Sequence, residues 1–241
     1  MFIKYSLDEV DENIFSSLAN ATNFETFSES RSCAIIVEPS EDTIPIIRTT
    51  TAFKLKSQYF KEIHHRIIKN IKKACNMKES IEFNNAMVEI YTSEYFKMGF
   101  HTDLALDLKE DTFICLYSCY EDPNEQHPRV LQVQNKETKE FTEFSLHHNS
   151  FVLFSTQDNN SHIHKIVSEN KATKSRWLGL TLRTSKTYIR YKDDTPHFVS
   201  NDQVLKTASE SEKRQFYNHK SLENKNVGYQ YPEINYTLSI H

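Results

Sequence analysis

His101-Thr102-Asp103, followed by His164 and then by Arg176 and Arg183, is the set of residues in this chain whose types and order could do chemistry. Two histidines and one carboxylate can hold one face of an iron(II) ion and leave its other positions open. An arginine after the second histidine can fix the distal carboxylate of a 2-oxo acid with its planar fork of donors. A chain so equipped would activate oxygen. The His-x-Asp triplet alone carries little weight. With 11 histidines and 33 acidic residues in 241 positions, about 1.5 His-x-acid matches are expected by chance.

Context raises its value. His101 and Asp103 lie between an extended segment ending at Tyr91 and the apolar run Phe113–Tyr120, and loops bordering a β scaffold commonly carry reactive groups. His164 follows a polar turn after another strand. His162 would share its face in an extended chain. The apolar flanks of Ile163-His164-Lys165-Ile166 favour His164 and leave His162 a surface or supporting role. Arg176 and Arg183 bracket the run 177–182. They differ by seven, so strict alternation places them on opposite faces. Both can serve one ligand only if the strand bends, for which Gly179 is a place.

The elements that must position these residues are legible as periodicities. Residues 1–50 mix a short helix signal with extended segments. Ser6 and Glu9 have capping-box spacing, and Val10, Ile14 and Leu18 recur at helical steps. Over 57–77, Phe60, Ile63, Ile67, Ile71 and Ala74 predict an amphipathic helix packed on a sheet. Its lysines, Lys61, Lys69, Lys72 and Lys73, mark a solvated face. From 85 to 191 the period changes to strands: 88–91, Phe113–Tyr120, 129–134, Phe141–Leu146, 151–155, Trp177–Arg183 and 188–191. Polar turns at 121–124 and 157–160 separate some of them. Many short strands in succession predict a sandwich or barrel, of which a jelly roll is one form. Beyond 192 the chain is polar, with one helix signal at 210–217 and a closing strand at 236–240.

Composition excludes several classes. Three isolated glycines cannot build a glycine-rich phosphate loop. A net charge of −4 gives no global attraction to nucleic acid or anionic membrane, and no aromatic-and-basic stripe stands out. Cys33, Cys75, Cys115 and Cys119 show no CxxC pairing and read as free thiols. No signal-peptide apolar region opens the chain and no apolar run reaches about 18 residues. The cytoplasm is the expected compartment, and a membrane is not an expected partner.

The ordered set His101-x-Asp103, His164, Arg176 and Arg183 resembles the iron(II)/2-oxoglutarate-dependent oxygenases, and within them the AlkB-type branch. That branch carries a strand of the form Arg-x-Asn-Leu-Thr-Phe-Arg. Here 176–183 is one residue longer. It also carries Asn-x-Tyr before the first histidine, where this chain has Glu89-Ile90-Tyr91. The resemblance covers about 45–191. It implies an α+β, mainly β, fold: a double-stranded β-helix (jelly roll) with N-terminal helices packed on one sheet. It further implies a single oxygenase domain over 1–241. In it, 1–50 would supply an extension and substrate lid, 51–191 the helix and core, and 192–241 a polar extension.

The implied ligands of Fe(II) are His101, Asp103 and His164. Tyr91 and Arg176 would hold the distal carboxylate of 2-oxoglutarate and Arg183 would neutralise the other end, with Thr181 beside them. O2 is the third reactant, and succinate and CO2 are the products. Substrate contacts are expected in 47–53 and 98–106, from Arg48, Phe53, Met98, Phe100 and Leu104. Arg48 would hold a substrate carboxylate or phosphate, or else serve as a structural ion pair. The acidic residues that read a damaged base in repair members are absent directly after Asp103, where Leu104-Ala105-Leu106 precede Asp107. A small-molecule hydroxylase is therefore the leading expectation. An oxidative demethylase of nucleic acid or protein is the alternative, and a non-catalytic β-sandwich is the third.

Overall fold

A computed structural model of the chain describes residues 1–7, 13–78, 80–96, 98–168 and 173–239. In chain order it begins with β1 (Ile3–Ser6), α1 (Ile14–Ala21), β2 (Glu25–Ser28), β3 (Arg31–Val37), β4 (Ile44–Ile46), β5 (Gln58–Tyr59) and α2 (Glu62–Ala74). The core follows as β6 (Asn85–Tyr91), β7 (Phe113–Tyr120), β8 (Arg129–Asn135), β9 (Phe141–Leu146) and β10 (Ser150–Ser155). After the short helix α3 (Thr156–Ser161) come β11 (His162–Val167) and β12 (Trp177–Arg183). The chain ends through β13 (Thr187–Lys192), β14 (Thr195–Phe198), β15 (Lys206–Thr207), α4 (Glu210–Lys225) and β16 (Tyr236–Thr237).

The core is a jelly roll. The large sheet runs β1-β10-β7-β12-β6-β3-β2, and the small sheet runs β11-β8-β9. A bridge between His101 and His164 adds the His101 segment to the small sheet beside β11. From β6 onward the chain visits the sheets in the order large, small, large, small, small, large, small, large. That alternation defines a double-stranded β-helix. Strand alternation then sorts the side chains. On β12, Leu178, Leu180 and Leu182 join the cluster formed with α1 and α2, which includes Ile14, Leu18, Ile67 and Ile71. Trp177 points the other way, into the intersheet core with Tyr91, Tyr120, Leu116 and Leu131.

Helix α1 starts at Ile14, with Asn13 at its N-cap. Ser6 ends a strand instead, and Glu9 and Val10 lie outside the described residues. Helix α2 buries Ile67 and Ile71 as the period predicts, together with His64 and Ile68. Ala74 is exposed. The C-terminal helix is twice the predicted length, because Ser209 caps it through Glu212 and a polar sequence then continues to Lys225. All four cysteines are free, and Cys33, Cys115 and Cys119 are buried.

Gly179 is fixed by its neighbour. A Cβ there would sit 2.0 Å from the ring of Trp177, whose indole Nε1 donates to Ser118 Oγ at 2.7 Å. Gly179→Ala should therefore cost about 1–3 kcal/mol by overpacking. The cost should shrink in a Trp177→Leu background, which urea unfolding in a double-mutant cycle would read.

His64 supplies a second test. Its Nδ1 accepts from the Lys61 backbone N–H at 2.9 Å. Burial, with His65 and Lys61 nearby, lowers its pKa from 6.5 to about 4. Between those values the unfolded chain takes a proton that the folded chain refuses, so this contribution is full above pH 6.5 and is lost as pH falls toward 4. The loss should reach up to about 3 kcal/mol. His64→Gln keeps the capping acceptor without a titrating ring and should flatten the pH 7 to pH 4.5 difference in urea midpoint relative to the parent.

Candidate metal centre

His101, Asp103 and His164 converge. One ligand atom from each lies within 4.8 Å of the others. His101 Nε2 is 3.9 Å, and His164 Nε2 3.7 Å, from Asp103 Oδ1. The pairing that closes the small sheet brings the two histidines together. His101 N–H donates to His164 O at 2.9 Å, and His164 N–H to His101 O at 2.7 Å.

The protonation states suit a metal. The Nδ1 of His101 is 3.0 Å from Gly99 O, so the Nδ1–H tautomer leaves Nε2 a free lone pair. Burial lowers the pKa of both histidines, that of His164 to about 3 with His101 adding to the effect. Burial alone would raise the Asp103 carboxyl. Arg183, with the two histidines, instead holds it well below the usual carboxylate range. Neutral imidazoles and an ionised carboxylate are what divalent metals bind. Arg183 Nε donates to Asp103 Oδ2 at 2.9 Å, which leaves Oδ1 facing the histidines. The residues therefore fit an iron ion.

The loop carrying the ligands is held by α4 and α3. Asn224 Oδ1 accepts from Thr102 N–H at 2.9 Å, and Lys220 Nζ donates to Thr102 O. Glu223 Oε1 accepts from Ala105 N–H at 2.8 Å, and its Oε2 accepts from Lys220 and Tyr231. Asn159 takes both the N–H and the carbonyl of Asp103, at 2.9 and 2.8 Å. Thr102 Oγ1 donates to His162 O, and the His162 ring is turned onto Asp158 O and Ser161, away from the ligand set.

A cavity of about 470 Å³ opens onto the ligands. Of the residues expected to line it, Met98, Phe100, Leu104, Arg48, Thr181 and Arg183 do so. Others do not, and the reasons are physical. Arg176 lies outside, because it falls on the helix-facing side of β12. It pairs with Glu121 at 2.6 Å and stacks on Phe15 of α1. The register of β12 against both neighbours is unbroken, so no bend at Gly179 brings it inward. Tyr91 is wholly buried against Trp177 and Tyr95 and does not reach the cavity. Phe53 packs with Cys33 and Met87. Arg48, though at the wall, is a structural pair: it grips Asp107 at 2.7 and 3.0 Å and donates to Ile234 O at 2.6 Å.

Thr49–Thr51 line the cavity within the expected 47–53 segment, whereas sequence reasoning missed Arg31, Tyr217, Lys220 and Asn224 as cavity residues. The 217, 220, 224 spacing puts the last three on one helical face, a signal available once α4 is known to pass 217. Glu89, where the resembling family has asparagine, lines the cavity and is paired with Arg31 at 2.8 Å.

No family model and no curated protein matches this chain. Among solved structures it is similar to that described as "The structure of OsALKBH1". The identity is 13%, the match covers 76% of this chain and 97% of that one, and the TM-score is 0.49. A likeness at that level adds nothing to the geometry. No helix among the described residues is long and apolar enough to cross a membrane.

Lys220→Met and Asn224→Leu leave all three ligands in place but release the backbone between His101 and Asp103. Each should weaken Fe(II) or Co(II) binding by roughly 10–100-fold, the scale seen for partners that orient ligands. Unchanged affinity in both variants, measured by metal titration, would remove α4 from the site's support.

Proposed function

We propose that this protein is a non-haem iron oxygenase that uses a 2-oxo acid as co-substrate. The observation that carries the reading is the convergence of two neutral imidazoles and one ionised carboxylate facing a cavity, with Asp103 and His164 buried and His101 partly exposed. Iron, when bound, supplies the oxygen-activating chemistry. The chain's own residues do the rest. His101, Asp103 and His164 hold one face of the ion. Arg183 keeps Asp103 ionised and turned. Leu116, Leu131, Phe154 and Ile166 keep water from the deeper wall. A purely structural β-sandwich would have no reason to gather these three ligand atoms within 4.8 Å of one another.

The substrate is a separate question. The small-molecule preference drawn from the sequence finds no support in the comparisons. One observation favours the alternative, an oxidative demethylase. Phe100 at the cavity carries Lys165 over its ring at 4.5 Å, and Tyr217 is half exposed at the same cavity. Flat faces with a cation beside them suit a nucleobase. This local pairing was not visible as a stripe in the sequence.

Anaerobic Fe(II) titration tests the centre. The parent should bind one equivalent, and His101→Ala and Asp103→Ala should each lose affinity by about 100-fold or more. Parent-like binding in either variant contradicts the ligand assignment. With iron, a 2-oxo acid and O2 present, formaldehyde from methylated oligonucleotides or peptides would assign demethylation. A hydroxylated small molecule would assign the other reading.

A further inference from the structure

We propose that the co-substrate is a 2-oxo acid with an apolar side chain and not the dicarboxylate 2-oxoglutarate. The inference rests on the iron-centre reading above and concerns what lies beyond the metal.

A second carboxylate needs a cation that is not already spent. Every cation lining the cavity among the described residues is paired. Arg31 meets Glu89 at 2.8 Å, Arg48 meets Asp107 at 2.7 Å, Arg183 meets Asp103 at 2.9 Å and Lys220 meets Glu223 at 3.0 Å. Three of these cations are also committed elsewhere: Arg31 to Thr51 Oγ1, Arg48 to Ile234 O, and Lys220 to Thr102 O. Arg129, buried at the start of β8, does not line the cavity. Its terminal nitrogens donate to Tyr95 O and Thr92 O, at 2.7 and 2.6 Å, and its Nε has no partner among the described residues.

Strand β12 shows why the socket lacks its own arginine. Its inward positions are 177, 179, 181 and 183. The first of these, Trp177, carries no charge. Its indole covers Gly179, where even a Cβ would meet the ring at 2.0 Å. Arg176, the neighbouring cation, is turned out to Glu121. Besides hydroxyl- and amide-bearing residues such as Thr181, Tyr217 and Asn224, the uncharged lining has an apolar wall of Met98, Leu116, Leu131, Phe154 and Ile166. An unpaired carboxylate against that wall loses its water without gaining a partner, whereas a branched or aromatic tail gains by leaving water.

The test is anaerobic titration of the Fe(II)-loaded full chain with 2-oxoglutarate, 2-oxo-4-methylpentanoate, phenylpyruvate and pyruvate. It is read by the visible charge-transfer absorption that a chelated 2-oxo acid gives with Fe(II). One or both of the apolar acids should bind at least about tenfold more tightly than 2-oxoglutarate, the ratio equivalent to roughly 1.4 kcal/mol. Binding of 2-oxoglutarate as tight as or tighter than both overturns the proposal and leaves the iron oxygenase reading standing. Iron retained with no 2-oxo acid bound overturns it as well. Failure of the parent to bind iron strikes the underlying reading itself.

Discussion

The site depends on how one carboxylate is divided. Asp103 gives Oδ2 to Arg183 on β12 and keeps Oδ1 toward His101 and His164. Burial works against its charge, and the guanidinium wins. Without Arg183 the carboxyl would be driven toward its neutral form in a buried place and would be a poorer ligand. Without the metal-side histidines, Arg183 and Asp103 would be an ordinary buried ion pair. The pair therefore links the large sheet, which supplies Arg183, to the loop added beside the small sheet, which supplies the ligands. Asn159, Lys220 and Asn224 then hold that loop by its backbone.

Strand alternation is the second constraint, and it decides which charged residues reach the interior. On β12 it sends three leucines to the helices and Trp177, Thr181 and Arg183 to the inside. Arg176 follows the leucines' side and becomes a surface partner of Glu121. The cost of burying charge does the remaining sorting. Three of the four cations that line the cavity take a carboxylate from another element, Glu89 for Arg31, Asp107 for Arg48 and Asp103 for Arg183, and Lys220 takes Glu223 from its own helix. The cavity is thus charged in its parts yet locally neutral, with an apolar deeper wall.

Local signals were legible and long-range pairings were not. Most strands of the core and the buried stripe of α2 follow from period, but β11, which carries His164, was not among the strands expected. Alternation also stated the truth about Arg176 and Arg183, that they face opposite sides. The resemblance to a longer arginine strand pulled Arg176 inward against it. Arg48 could not be resolved, because its partner lies 59 residues away. Helix α4 was truncated and its role unseen: its sequence is polar almost throughout, and only Phe216 and Glu223 are buried. A helix that works by hydrogen bonds to a loop leaves little hydrophobic period to read.

In the proposed centre, His101, Asp103 and His164 bind one iron ion from one side. X-ray absorption of the Fe(II)-loaded protein at the iron edge tests it most directly. Two imidazole nitrogens among otherwise oxygen donors are expected. Iron bearing fewer than two imidazoles, or bound through sulfur, would contradict it.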